Sequence, residues 1–475
     1  MMKRRLPAGP LVALALLAGL GGWVIFKERP ADEARRKESE GKDRLVRFER
    51  SGLKGVRIEN AHGVVRLEKT GDAFAVTEPL RAEADTSVVE EVLTTLETAR
   101  IERRLGAAVD RKSYGLDPPG TRITLELSTG GEPTQLGVGD GAPIGGGFFV
   151  LLPGGQEIAV ASSGVGDLAK KDLFALRDKS LITLDPWKVK RLRMKRRADT
   201  VLLEKPDDGW KIQEPVETPA DGPTVTDLLS ALERLRASAI AAEKPTGNDL
   251  RRMALQPANF SMTLLQEGWD VEKTIQFGKA ADGTIYARLV GRDPILSVPS
   301  DFWEKLNTKL ADLRRKEILG LSQYRLETIT ATPAGRTPVT LTRQKDGGWT
   351  LAGAVSGTPK ADTVDLLLRH LGAMKSKLFD DRPAETLRAS LARSPALELT
   401  LQEEADAAGG KTRGQHLVFG PPDRAGLVRV RDLAWRPISG IAGGDLQSLL
   451  GDLDKLVKEA SEPAPAASPS PSPTP

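Results

Sequence analysis

The chain has 475 residues, 39% of them hydrophobic, length enough for about three domains. Its formal net charge of +4 gives no reason to expect a nucleic-acid partner. Cysteine is absent, which excludes disulfides, thiolate zinc sites, thiol catalysis and a lipid anchor on cysteine.

Lys3, Arg4 and Arg5 precede an apolar run from Ala8 to Phe26. That run is about 19 residues, close to the minimum for a bilayer-spanning helix. Residues 1–26 are therefore expected to form a signal anchor, with residues 8–26 in the inner membrane. The positive flank keeps the N-terminus cytoplasmic and sends the bulk of the chain to the periplasm. A cleaved signal peptide is the alternative. Its small-residue site, Gly19-Leu20-Gly21, is weak, and Trp23-Val24-Ile25-Phe26 extends the run past it. Residues 27–44 carry many charges of both signs and read as a spacer.

Three copies of one module follow, over residues 45–181, 182–320 and 321–459. Leu67-Glu68-Lys69 before Ala73-Phe74-Ala75-Val76 returns as Leu203-Glu204-Lys205 before Gly209-Trp210-Lys211-Ile212. It returns again as Leu341-Thr342-Arg343 before Gly348-Trp349-Thr350-Leu351. Each module opens with alternating strands: Lys54–Ile58, Val64–Lys69 and Phe74–Thr77; Lys188–Lys195, Thr200–Lys205 and Trp210–Gln213; Leu326–Ala331, Pro338–Arg343 and Trp349–Ala352. The turns Gly71-Asp72, Asp208-Gly209 and Gly347-Gly348 permit positive φ in a tight hairpin.

A helix comes next in each module, with Asp85, Asp221 and Asp362 as expected N-caps. Behind them Val89, Val92, Leu93 and Leu96, then Val225, Leu228, Leu229, Leu232 and Leu235, then Val364, Leu367, Leu368, Leu371 and Met374 have helical spacing. More strands follow at Arg122–Leu127, Ser261–Leu265 and Ala396–Leu401. Leu136-Gly137, Phe277-Gly278 and Phe419-Gly420 are expected to close strands, ahead of further strands at Phe148–Leu152, Ile285–Val290 and Leu427–Val430. A terminal helix ends each module, carrying Leu168, Leu173 and Leu176, then Phe302, Leu306 and Leu310, then Leu446, Leu449, Leu450 and Leu453. The expected fold class is α+β: a transmembrane helix, then three tandem modules of antiparallel sheet with packed helices. Residues 460–475, rich in Pro, Ser and Ala, are expected to be a disordered tail.

Tyr114-Gly115-Leu116-Asp117-Pro118-Pro119, Trp210-Lys211-Ile212 with Pro215-Val216 and Pro219-Ala220-Asp221, and Phe174-Ala175-Leu176-Arg177-Asp178-Lys179 resemble the signatures of a bacterial domain-of-unknown-function family, numbered 4340. The resemblance covers most of Leu45 to Leu319. The third module matches more loosely, with Ser390-Leu391-Ala392 in place of Tyr-Gly-Leu. The resemblance implies a membrane-anchored envelope protein of a kind often associated with gliding-motility-type ABC transporters. It supplies no catalytic residues.

His62, His370 and His416 lie in different modules without metal-ligand spacing. Gly137-Val138-Gly139-Asp140-Gly141 lacks the Lys-Ser/Thr pair of a phosphate loop and reads as a glycine-rich strand connection. The recurrence of Asp85, Asp221 and Asp362 ahead of equivalent helices points to capping over acid/base work. No catalytic, cofactor or metal residue is assigned, and no enzyme is expected. The sharpest charge feature is a basic run: Lys188, Lys190, Arg191, Arg193, Lys195, Arg196 and Arg197. On a strand Arg191, Arg193 and Lys195 share one face, opposite Leu192 and Met194. The run is either a patch for anionic lipid, cell-wall polymer or an acidic partner, or a solvated face or protected edge strand. The expected role is a periplasmic scaffold or accessory subunit of a transport or motility complex. An envelope lipid- or glycan-binding module is the alternative.

Overall fold

The computed structural model describes residues 43–107, 110–128, 132–280, 283–404 and 412–461. The expected anchor, the spacer as far as residue 42 and the tail from residue 462 lie outside the described residues. Among the described residues no helix is long and apolar enough to cross a membrane. The described residues divide into two compact units, one up to Lys179 and one from Ser180 on.

In the first unit β1 (Leu53–Asn60), β2 (Gly63–Thr70), β3 (Ala73–Glu78) and β4 (Ala82–Glu83) precede helix α1 (Thr86–Thr98). Then come β5 (Ile101–Gly106), β6 (Thr121–Leu127), β7 (Thr134–Gly141), β8 (Phe148–Leu151), β9 (Ile158–Ala161), α2 (Gly164–Leu168) and α3 (Leu173–Leu176). The strands form one sheet in the order β4-β3-β2-β1-β6-β7-β8-β9-β5, every pairing antiparallel. Alternation puts Val56, Ile58, Val65 and Leu67 on one face. There they join Val89, Val92, Leu93 and Leu96 of α1 in a common core. Burying each such side chain stabilises by about 1.5–3 kcal/mol relative to exposure. Asp85 starts α1, its Oδ1 accepting from the amides of Ser87 and Val88 at 3.1 and 3.2 Å.

The second unit repeats this plan twice. Its first copy holds β10 (Val189–Arg196), β11 (Thr200–Glu204), β12 (Lys211–Glu214), β13 (Thr218–Pro219), α4 (Gly222–Arg234), β14 (Ala239–Ala242), α5 (Gly247–Arg252), β15 (Phe260–Gln266), β16 (Lys273–Lys279), β17 (Ile285–Leu289), β18 (Ile295–Val298), α6 (Asp301–Leu306) and α7 (Leu310–Leu313). Its sheet order, β13-β12-β11-β10-β15-β16-β17-β18-β14, matches the first sheet strand for strand. Its second copy holds β19 (Leu326–Pro333), β20 (Val339–Arg343), β21 (Trp349–Gly353), α8 (Ala361–Ala373), β22 (Leu378–Asp380), α9 (Glu385–Arg393), β23 (Leu397–Glu403), β24 (Gly414–Pro422), β25 (Leu427–Asp432), β26 (Ile438–Ala442) and α10 (Gly443–Ser461). Its sheet order is β21-β20-β19-β23-β24-β25-β26-β22. The fold is thus α+β and mostly β, three antiparallel sheets with a few helices. Ile318 and Leu319 already belong to the third core.

The opening hairpins are as expected: Gly71, Gly209 and Gly347 have φ of +63°, +111° and +87°. Four expectations are corrected. The strand containing Gly278 closes at Lys279, one residue on, but those containing Gly137 and Gly420 do not close there and run on to Gly141 and Pro422. The run from Gly137 to Gly141 is accordingly part of β7, not a connection. The terminal helix is broken in the first two copies, because Asp172 caps a new start by accepting from the Ala175 amide at 2.6 Å, and because Asn307 and Lys309 interrupt the second. Only the third copy has one long helix. Asp362 is not an N-cap. Helix α8 follows Lys360, and the carboxylate at its start belongs to Glu459 of α10, which accepts from Lys360 N at 3.3 Å and Thr363 Oγ1 at 3.0 Å.

Candidate functional site

A bulge near the start of the central strand aligns the three copies. It falls at Leu53/Gly55 in β1, Val189/Arg191 in β10 and Leu326/Thr328 in β19. Gly55, Arg57 and Glu59 therefore correspond to Arg191, Arg193 and Lys195, and to Thr328, Thr330 and Thr332. Apart from Gly55, which is buried at the bulge, these positions alternate with buried ones, so they lie on the sheet face away from the α1-type helix.

In the first copy this face is a ladder of opposite charges. Arg66 meets Glu126 at 2.8 Å and Glu68 at 3.0 Å, Arg57 meets Glu78 at 3.5 Å, and Arg122 meets Glu59 at 3.4 Å. In the third copy it is a ladder of hydroxyls. Thr328 faces Thr342, Thr330 faces Thr340 and Thr400, and Thr342 faces Thr350. The Thr330 and Thr340 hydroxyls are 3.2 Å apart.

The second copy carries the basic run. Strand β10 lies between β11 and β15, so it is internal, and edge protection does not explain its charges. Leu192 and Met194 are fully buried, whereas Lys190, Arg193 and Lys195 are exposed. Most of the cations have partners. Lys188 is 3.8 Å from Asp185, Lys190 is 3.3 Å from Glu267, and Arg191 is 2.8 Å from Glu204 and 3.3 Å from Glu272. Hydrogen bonds donated to Glu204 and Glu272 raise the Arg191 guanidinium above its usual value. Arg196 donates to Asn307 Oδ1 at 2.7 Å and to the Thr308 carbonyl at 2.6 Å, and Arg197 donates to Asn259 Oδ1 at 3.2 Å. Arg193 and Lys195 have no ion pair or side-chain hydrogen bond among the described residues. A groove of about 440 Å³ lies at the Lys190 end of β10, lined by Lys190, Arg191, Glu204, Lys205, Lys211 and Glu217 among others.

The histidines stay apart. His370 Nδ1 is 2.6 Å from Asp452 Oδ2, joining α8 to α10, and His416 is 3.5 Å from Glu398. His62 is exposed in a turn. Among the described residues no group of three His, Cys, Asp or Glu is placed to hold a metal ion. Asp85 and Asp221 are occupied as caps, Asp221 accepting from Thr224 N at 2.8 Å.

A second feature escaped the sequence. Within unit 2 a cavity of about 40 Å³ lies where the second module meets the third, lined by Thr218, Arg315, Glu317, Phe379, Asp432 and Trp435 among others. Lys211 sits 5.7 Å from the centre of the Trp435 ring, across the same junction. These residues are far apart in the chain. The one local signal is that Leu176-Arg177-Asp178-Lys179 recurs as Leu313-Arg314-Arg315-Lys316, with an acid replaced by a base.

The family described as Domain of unknown function (DUF4340) matches residues 75–211 and again 210–395. The first matched copy runs from within β3 to the start of β12. The second runs from there to just ahead of β23. No curated protein matches the chain.

Proposed function

We propose, on the premise that this chain belongs to the DUF4340 family, that it is a non-enzymatic scaffold or accessory subunit of an envelope complex. In this reading residues 8–26 anchor it in the inner membrane, its modules stand in the periplasm, and its partners belong to an ABC-type transport or gliding-motility-type assembly. One observation carries the scaffold role. Three copies keep the same framework, while the open face changes from paired charges, to a basic run in which Arg193 and Lys195 are unpaired, to threonines. Framework residues repeat because the fold needs them. Faces that differ on a common framework are what separate partners require. Tethering then raises the effective concentration of each partner at the membrane.

The groove lined by Lys190, Lys205 and Lys211 favours a second reading, binding of an anionic envelope lipid or cell-wall polymer by the second module. One experiment separates the two. The protein is crosslinked in its membranes, gently solubilised, purified by affinity and analysed by mass spectrometry for proteins and lipids. The scaffold reading expects transporter or motility subunits among the crosslinked products. Recovery without them, but with lipid in fixed proportion, overturns it in favour of the second reading.

A further inference from the structure

The connector after α7 carries two adjacent arginines in different circumstances. Arg314 is buried, 2.6 Å from Asp381, with its guanidinium 5.0 Å from the centre of the Phe379 ring. Arg315 is half-buried and has no ion pair or side-chain hydrogen bond among the described residues. Its amide donates to the Pro219 carbonyl at 3.2 Å, just as the Asp178 amide donates to the Glu83 carbonyl at 2.8 Å in the first module. Arg315 therefore stands where the first copy has an aspartate.

A cation drawn partly out of water with no carboxylate in direct contact is unfavourable. Burial holds the Arg315 guanidinium below its usual value, with Asp432 and Glu317 acting against that and Arg413 adding to it. Neither acid has turned to Arg315. Asp432 accepts from Gln415 Nε2 at 2.7 Å and from the Ala434 amide at 2.9 Å, and Glu317 pairs with Lys375 at 3.1 Å. Gln415 is committed as well, accepting from the Gly320 amide at 2.8 Å and donating to the Ile318 carbonyl at 2.9 Å. Glycine at 320 leaves the guanidinium its space, since a Cβ there would fall 2.7 Å from one of its terminal nitrogens.

The donor capacity that Arg315 leaves free in the wall is the planar fork that suits a carboxylate; the Glu317 and Asp432 carboxylates that also line the cavity are held by Lys375 and Gln415. Size agrees. One water needs roughly 10–15 Å³ of such a cavity, so about 40 Å³ admits a group of a few atoms. We propose that this cavity is a carboxylate-binding site, with Arg315 as its recognition group and Trp435 and Phe379 as apolar walls. Its occupant is an acidic side chain of a protein docked on unit 2. The proposal rests on the scaffold reading only for the source of the carboxylate; a free carboxylic acid has the same chemistry.

Phenylglyoxal modifies the neutral form of arginine, and its reaction at Arg315 can be read by mass spectrometry in the full-length protein. The probes are sodium acetate and the capped peptide acetyl-Gly-Glu-Gly-amide, with sodium chloride at equal ionic strength as control. Both probes are expected to slow modification of Arg315, by about tenfold at ten times their Kd, and to leave the exposed Arg193 unchanged. Gly320→Ala should displace the guanidinium and abolish this protection, while the bond from the residue 320 amide to Gln415 remains. Protection by acetate but not by the peptide keeps the carboxylate site and overturns a partner side chain as its source. Protection no greater than that given by chloride overturns the site itself, whatever the crosslinking experiment returns.

Discussion

Gly278 has no room for a methyl group. A Cβ there would lie 1.9 Å from the Met253 carbonyl oxygen, and at Gly139 of the first module it would lie 2.2 Å from the Tyr114 carbonyl oxygen. In both copies the segment linking the outer strand to the second half of the sheet presses its backbone onto the strand, and glycine permits the approach. Gly451 is the opposite case, a helical glycine in α10 with nothing within 4 Å of a Cβ. Gly278→Ala is expected to cost about 2 kcal/mol or more through overpacking. Gly451→Ala should stabilise by about 1 kcal/mol, since alanine is the better helix former. Native-state hydrogen exchange in β15 and β16 for the first variant, and in α10 for the second, checks both. Equal effects at the two positions would contradict the packing argument.

At the scale of elements, the same helix begins in different ways. In α1 and α4 the residue before the helix caps it, whereas α8 takes its carboxylate from Glu459, a near-buried side chain on α10. Glu459→Ala should therefore loosen the first turn of α8 by about 1 kcal/mol, the usual net worth of a lost hydrogen bond. Asp362→Ala should change it by no more than about 0.5 kcal/mol, as at an ordinary surface position. Amide exchange at Thr363 and Val364 distinguishes them, and a larger loss from Asp362→Ala would restore the local cap. The contrast marks what the sequence could reveal. Asp85 and Asp221 were legible because cap and helix are neighbours, and the stripes behind them follow the helical period. Glu459 was not legible, because nothing local connects it to Lys360. The break between α2 and α3 was hidden for another reason: Leu168, Leu173 and Leu176 keep core-facing spacing across it. The cavity was the least legible feature, because tertiary packing alone brings Thr218, Arg315 and Trp435 together.

Across the whole molecule, repetition accounts for the framework and divergence for the surface. The bulges keep Gly55, Arg191 and Thr328 in one register, so the side chains beyond them differ without disturbing the sheet beneath. In the first copy Arg57 pairs with Glu59 on the same strand; in the second the equivalent positions are Arg193 and Lys195, two cations, so that pair is lost. The account's central claim is that the three faces serve different partners. Three variants test it in membranes: Arg57→Ser with Arg66→Ser, Arg193→Glu with Lys195→Glu, and Thr330→Ala with Thr340→Ala. Each alters an open face whose interactions contribute about 1 kcal/mol or less to stability, so the fold should persist. The deciding measurement is the set of proteins crosslinked to each variant, identified by mass spectrometry. Each variant is expected to lose a different subset of the wild-type partners, and three folded variants that all keep the complete wild-type set would contradict the account.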